Sequence, residues 1–313
     1  MTGAAYANSF YLQMGLSFFL LFSVPQGLRA ETNFTVAAAS AKIDATVTGD
    51  ALNVSDPQLK QWVQKAADAV VAYYGRFSVP HLTLQIRSFA GRGVRGGQTF
   101  SRYGGFIRIA VGTETTQEDL ASDWMLTHEM VHLTFPSMQE QHHWIEEGIA
   151  TYVEPIARIQ AGQFSAQRMW FELVRDMPKG LPESGDQGLD RTHTWGRTYW
   201  GGALFCFLAD VEIRKQTQNK KGLQDALRGI LNAGGDMRYD WPIEKALQTG
   251  DRAVGVEVLT KLYQQMRDRP MPADLDSLWK QLGIRVEHGV AQFNDDAPLA
   301  KIREAIIAPE PQA

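Results

Sequence analysis

The 313-residue chain carries 35 acidic against 31 basic side chains, a net charge of −4, and is 44% hydrophobic and 21% charged. That balance excludes a disordered, fibrous or low-complexity protein, and a mildly acidic chain has no electrostatic reason to seek nucleic acid. Its length can bury a core without covalent staples, and the lone Cys206 excludes an internal disulfide.

Residues 1–30 contain no acidic residue, one base, Arg29, and an apolar run over 14–24 that ends at Pro25. The run is short for a membrane span and reads as the core of a signal peptide, with cleavage after Ala30 and export to the periplasm or beyond. Its start lacks the usual Lys or Arg, and retention as a membrane anchor is the alternative. Residues 31–54 leave a pro-segment role open.

Ser55 and Asp56 ahead of Pro57 open a helix over 55–75, with Leu59, Trp62, Val63, Ala66, Val70 and Tyr73 at helical spacing and Gly75 as its stop. Residues 81–112 alternate apolar with polar and are punctuated by Gly91, Gly93, Gly96 and Gly97, the pattern of strands and hairpins. From Thr116 the period is helical, with helices expected at about 117–135, 143–161, 195–216, 221–232 and 255–268. A Gly/Pro/Asp-rich loop covers 178–194. Beyond 271 come a helix near 274–282, a possible strand or turn, a helix near 295–307 and a Pro-rich tail. The fold expected is α+β: a helix and small mixed sheet over 31–113, packed on a mainly helical 114–313.

The chemistry centres on His128-Glu129-Met130-Val131-His132. On a helix, residues four apart stack on one face, so both imidazoles can converge on one zinc ion, Zn2+, while Glu129 points into the same cleft. Zinc brings the pKa of a bound water to about 7, and an adjacent carboxylate can take its proton as it attacks a carbonyl. A catalytic zinc wants a third protein ligand. A second helical segment, beginning near Trp144, offers Glu146 and Glu147, whose directions diverge by about 100° on a helix, so only one of them reaches the metal.

The HExxH arrangement followed by Glu147-Gly148-Ile149-Ala150-Thr151-Tyr152 resembles the gluzincin zinc peptidases. The resemblance implies Glu147 as the third ligand and leaves Glu146 as an acid at a helix N-terminus. The segment from Tyr199-Trp200-Gly201-Gly202 through Arg214, with 220–227, is similar to the helix pair after the zinc site in the glycyl aminopeptidase-like family. It implies that Tyr199 donates its hydroxyl to the oxyanion, a role suited to a neutral phenol, and that a thermolysin-like helical zinc subdomain carries the site. The similarity spans about 105–235. Gly201 stands where that family has Lys, and the G-x-M-E-N element that grips substrate N-termini is absent. The implied activity is hydrolysis of peptide bonds in a peptide or protein substrate; the alternative is a catalytically silent, zinc-stabilised protein that binds a peptide or a cell-envelope partner.

Residues 103–112 read as an edge strand on which an extended peptide can add, making Gly105 and Phe106 candidate substrate contacts. His193 is a further substrate-binding candidate, six residues before Tyr199. His142 and His143 read as surface residues, and Arg197 as a structural ion pair or a carboxylate anchor. Asp123 and Glu154 are candidates to orient a zinc-bound imidazole. Membrane association is expected only with a retained N-terminal anchor.

Overall fold

The computed structural model describes residues 31–100 and 104–309; the expected signal peptide lies outside them. Among the described residues no helix is long and apolar enough to cross a membrane.

The chain opens with a hairpin, β1 (Thr32–Ala38) and β2 (Ala41–Thr48), paired antiparallel. Sequence inspection missed it, although β2 alternates: Ile43, Ala45 and Val47 are buried between polar neighbours. Helix α1 (Asp56–Tyr74) follows; the Gln58 side chain accepts from Ser55 N at its start, and Gly75 closes it at φ 77°. Strands β3 (His81–Phe89), β4 (Val94–Phe100) and β5 (Phe106–Gly112) complete a five-stranded mixed sheet in the order β1-β2-β3-β5-β4. β2, β3 and β5 run parallel, and β4 returns antiparallel on β5. The buried face, including Leu82, Leu84, Ile86, Ile107 and Ile109, is covered by helices.

The topology corrects one expectation. β5 is interior, hydrogen-bonded to β3 and β4, and the edge on this side of the sheet belongs to β4. Gly105 and Phe106 therefore begin a strand whose two sides are already paired, so they offer no peptide-adding edge.

The expected helix over 117–135 is two: α2 (Gln117–Ser122) and α3 (Met125–His132). The break is Asp123, whose backbone is extended and whose carboxylate accepts from Met125 N and Leu126 N, starting α3, and from Trp62 Nε1 of α1. Asp123 thus fixes the start of α3 to α1 and orients no imidazole.

Helix α4 (His143–Gln160) packs on α1 and α3, and α5 (Ala166–Asp176) follows it. A π-helical turn over Gly196–Gly201 runs into α6 (Gly202–Gln216), then α7 (Leu223–Asn232), α8 (Ile243–Val254), α9 (Leu259–Met266) and α10 (Leu275–Gln281). A β6 (Ile284–Glu287) and β7 (Val290–Phe293) hairpin and α11 (Ala300–Ile307) end the described chain. α5 and α8 were not expected, although both carry apolar residues at helical spacing: Met169, Trp170 and Leu173 in α5, and Ile243, Ala246, Leu247 and Val254 in α8.

The 178–194 loop is tied down. Leu189 N and Asp190 N bond to Met266 O and Arg267 O, and Asp190 accepts from His142, Trp144 and Tyr263. His142 is consequently buried, not a surface residue. Arg197 is also buried, its Nε 2.7 Å from Asp186 in the same loop, which makes it a structural ion pair.

α4 and α6 meet backbone to backbone. A Cβ on Gly148 would overlap the Gly202 backbone, and one on Gly202 would overlap the Trp144 carbonyl. This contact sets the π-helical turn against α4. Gly148→Ala is expected to cost about 1–3 kcal/mol of stability through overpacking, checked by urea unfolding.

Candidate metal centre and active site

α3 presents His128 and His132 one turn apart on one face, their ring centroids 4.9 Å apart. α4 returns beside it with Glu147 in its second turn. Glu147 Oε2 lies 3.0 Å from His128 Nε2 and 3.5 Å from His132 Nε2. One donor atom from each residue lies within 4.8 Å of the other two. Ligand atoms on a tetrahedral zinc, each about 2.05 Å from it, are about 3.3 Å apart. Two imidazole nitrogens and a carboxylate oxygen at this spacing fit that ion.

The electrostatics express the crowding. Burial lowers the His128 imidazole, while at His132 the neighbouring Glu147 outweighs burial and raises it. Burial alone would raise Glu147, but hydrogen bonds to His128, His132 and His143 hold its carboxyl far below the usual range.

Glu146 is outside this group. It faces the cleft with its Oε2 3.4 Å from His143 Nδ1, and its Oε1 accepts a long bond from Met138 N. His143, read from sequence as plain surface, is exposed yet touches both acids. Hydrogen bonds to Glu146 and then Glu147 push it up to about 10.

Glu129 is buried beside the imidazoles, with its Oε2 2.6 Å from Thr99 Oγ1 on edge strand β4; the same hydroxyl lies 2.9 Å from the Glu129 carbonyl. Gly97 makes room for it, since a Cβ there would lie 2.5 Å from Glu129 Oε1. Neither Gly97 nor Thr99 was found from sequence. The signal available was the Gly96-Gly97 pair inside a strand, which marks a close approach by another group.

Tyr199 hangs from the π-helical turn over the same space, its ring stacked at 6.3 Å on His128 and at 5.7 Å on Trp195. Burial, then the charges of Glu147 and Glu129, raise the phenol to about 12, so it remains a neutral donor at physiological pH. These residues line a cleft of about 480 Å³ together with Gly97, Thr99 and Phe100 of β4. His193 is exposed in the preceding loop and does not line it.

Glu154, seven residues beyond Glu147 on α4, does not bond to His128; its Oε1 accepts from Arg158 Nη1 at 2.8 Å. Burial, opposed by Arg158, raises its carboxyl from 4.5 to about 7. The folded state then holds this proton more readily than the unfolded one. The contribution is most favourable below about 4.5 and is lost as pH rises through about 7, by on the order of 3 kcal/mol. Glu154→Gln is expected to remove that fall, measured as urea midpoints at about pH 5 and about pH 8.

No protein-family profile and no curated protein matches the sequence. Solved structures do. An aminopeptidase N family protein from Idiomarina loihiensis superposes with a TM-score of 0.64 at 12% identity, covering 86% of this chain and 53% of that one. An M1 zinc metallopeptidase from Deinococcus radiodurans gives 0.51 at 13% identity, covering 78% and 52%. A variant of that peptidase, described as bound to a Tyr-Ser-Ala substrate, gives 0.50 at 12% identity, covering 78% and 53%. The chain thus spans about half the length of these proteins. At such identity the likeness speaks to architecture, and the α+β fold of this chain is the fold of M1 zinc metallopeptidase structures.

Proposed function

We propose that the chain is a zinc-dependent peptidase. The observation that carries this is the convergence of His128, His132 and Glu147 beside a separate buried carboxylate, Glu129, which no metal ligation consumes. The M1 structural neighbours, one of them described with a peptide substrate, support the same reading.

His128, His132 and Glu147 would hold the ion. Zinc supplies Lewis-acid polarisation and activation of water when bound. Glu129 takes the proton of the attacking water and passes it to the leaving amine. Thr99 restrains the Glu129 carboxylate, and Gly97 leaves it space. Tyr199 donates its hydroxyl to the oxygen on which negative charge develops; Tyr199→Phe is expected to lower kcat by about 10²–10³ with zinc retained. Steady-state kinetics paired with metal analysis checks this.

Purified protein should contain one zinc per chain and cleave members of a broad peptide library. Absence of stoichiometric zinc overturns the site, and zinc without cleavage leaves a binding protein in place of an enzyme. Parallel libraries with free and blocked N-termini assign exo- or endopeptidase action. We also assign residues 1–30 as an export signal, which N-terminal sequencing of the mature protein tests; a start other than Glu31 counts against it.

A further inference from the structure

A second recess, of about 360 Å³, shares Trp124, His128 and Tyr199 with the metal cleft and continues between α4 and α5. Its volume equals roughly a dozen waters at about 30 Å³ each, enough for one large side chain with solvent to spare. Thr151 of α4 stands in its wall, and Phe164, Trp195 and Trp200 add aromatic surface. Trp124 and Trp195 are 49% and 61% exposed, unusual for tryptophan on a protein surface without a partner.

The charged side chains of this wall already answer one another. Arg158 pairs with Glu154, Arg168 with Glu172, and both Arg175 and Lys179 with Asp176. The cations also lie against rings: Arg158 and Arg168 sit 4.8 and 4.9 Å from the Phe164 centroid, and Lys179 sits 5.8 Å from both Trp195 and Trp200. A basic side chain entering here meets cations and no unshared carboxylate. An aromatic ring meets apolar and aromatic surface and guanidinium groups it can stack on, and displaces water at little electrostatic cost.

We infer that this recess receives an aromatic side chain of the substrate, next to the bond that is cut, and so selects the cleavage site. The inference rests on the peptidase reading above. Continuity through Trp124, His128 and Tyr199 puts the recess directly beside the metal group, so binding energy gained there is available to the transition state.

The test joins cleavage to binding. With peptides varied at the positions flanking the cut, wild-type protein is expected to prefer Phe, Tyr or Trp over Ala by about tenfold or more in kcat/KM at one flanking position, and to disfavour Lys and Arg there. Thr151→Phe, which fills the recess, and Trp124→Ala, which opens its rim, should each lower the aromatic-to-alanine ratio by about tenfold. Zinc content is checked in both.

Calorimetric titration of Glu129→Gln protein with a Phe peptide and its Ala counterpart reads the recess without turnover. The Phe peptide should bind about tenfold tighter, and adding Thr151→Phe should abolish the difference. Equal binding of the two peptides, or an aromatic preference that survives Thr151→Phe, overturns the inference. Tighter binding of the Phe peptide by a protein whose wild type cleaves nothing supports the recess and sinks the peptidase reading instead.

Discussion

Glu129→Gln is expected to leave one zinc per chain in place while lowering kcat/KM by about 10²–10⁴. The reasoning is geometric. Glu129 stands next to His128 on α3, yet its carboxylate turns towards Thr99 on β4 and not onto the atoms that converge in the metal group. Gln keeps the shape and still accepts from the Thr99 hydroxyl, but it cannot take a proton. Metal analysis and steady-state kinetics on one preparation separate the two roles. Loss of zinc would make Glu129 a ligand, and unchanged turnover would remove it from the chemistry.

The second large effect is on metal binding. Glu147→Ala should lose stoichiometric zinc on dialysis and all measurable peptidase activity, because it removes the carboxylate that, among the described residues, lies within reach of both imidazoles. Glu146→Ala should keep its zinc, with affinity reduced by roughly 10–100-fold at most, the range for groups that only support a ligand. The same pair can be read through folding. An ion that binds only the native state adds about 4 kcal/mol when its free concentration is about 1,000 times Kd. That difference between zinc-loaded and chelated protein should appear in wild type, persist at reduced size in Glu146→Ala, by about 1.4 kcal/mol less for each tenfold loss of affinity, and vanish in Glu147→Ala. Zinc retained by Glu147→Ala and lost by Glu146→Ala would reverse the ligand choice.

Much of the site could be read along the chain because its parts are local. His128, Glu129 and His132 share one short helix, and the four-residue spacing alone puts both imidazoles on one face. The choice between Glu146 and Glu147 depended on how α4 packs against α3. Helical geometry says only that the two carboxylates diverge, and it is the packing of α4 against α3 that aims Glu147 at the imidazoles. Tyr199 could be nominated from its family likeness. Its placement depends on the π-helical turn and on the Gly148–Gly202 contact, which brings that turn onto α4.

Where the reading failed, a partner distant in sequence decided the outcome. The alternating 103–112 segment was a strand, but whether a strand is an edge is a property of the sheet. β4 took the outer position, so Thr99 and Gly97, not Gly105 and Phe106, face the cleft. His142 looked like half of an exposed pair, but Asp190, 48 residues on, hydrogen-bonds its Nδ1 in the folded chain. Glu154 and Asp123 were plausible supports for an imidazole, yet Arg158 claimed one and the first turn of α3 with Trp62 claimed the other.

Local pattern was enough to bring His128, Glu129 and His132 together on one helix, because helical periodicity and residue type act over four or five positions. Which strand borders them and which wall of aromatic rings adjoins them came from the folded chain, and so did the approach of Glu147, which the resemblance names but helix geometry leaves open. Those are contacts between segments tens of residues apart, and packing and hydrogen bonding select them only once the chain has closed on itself.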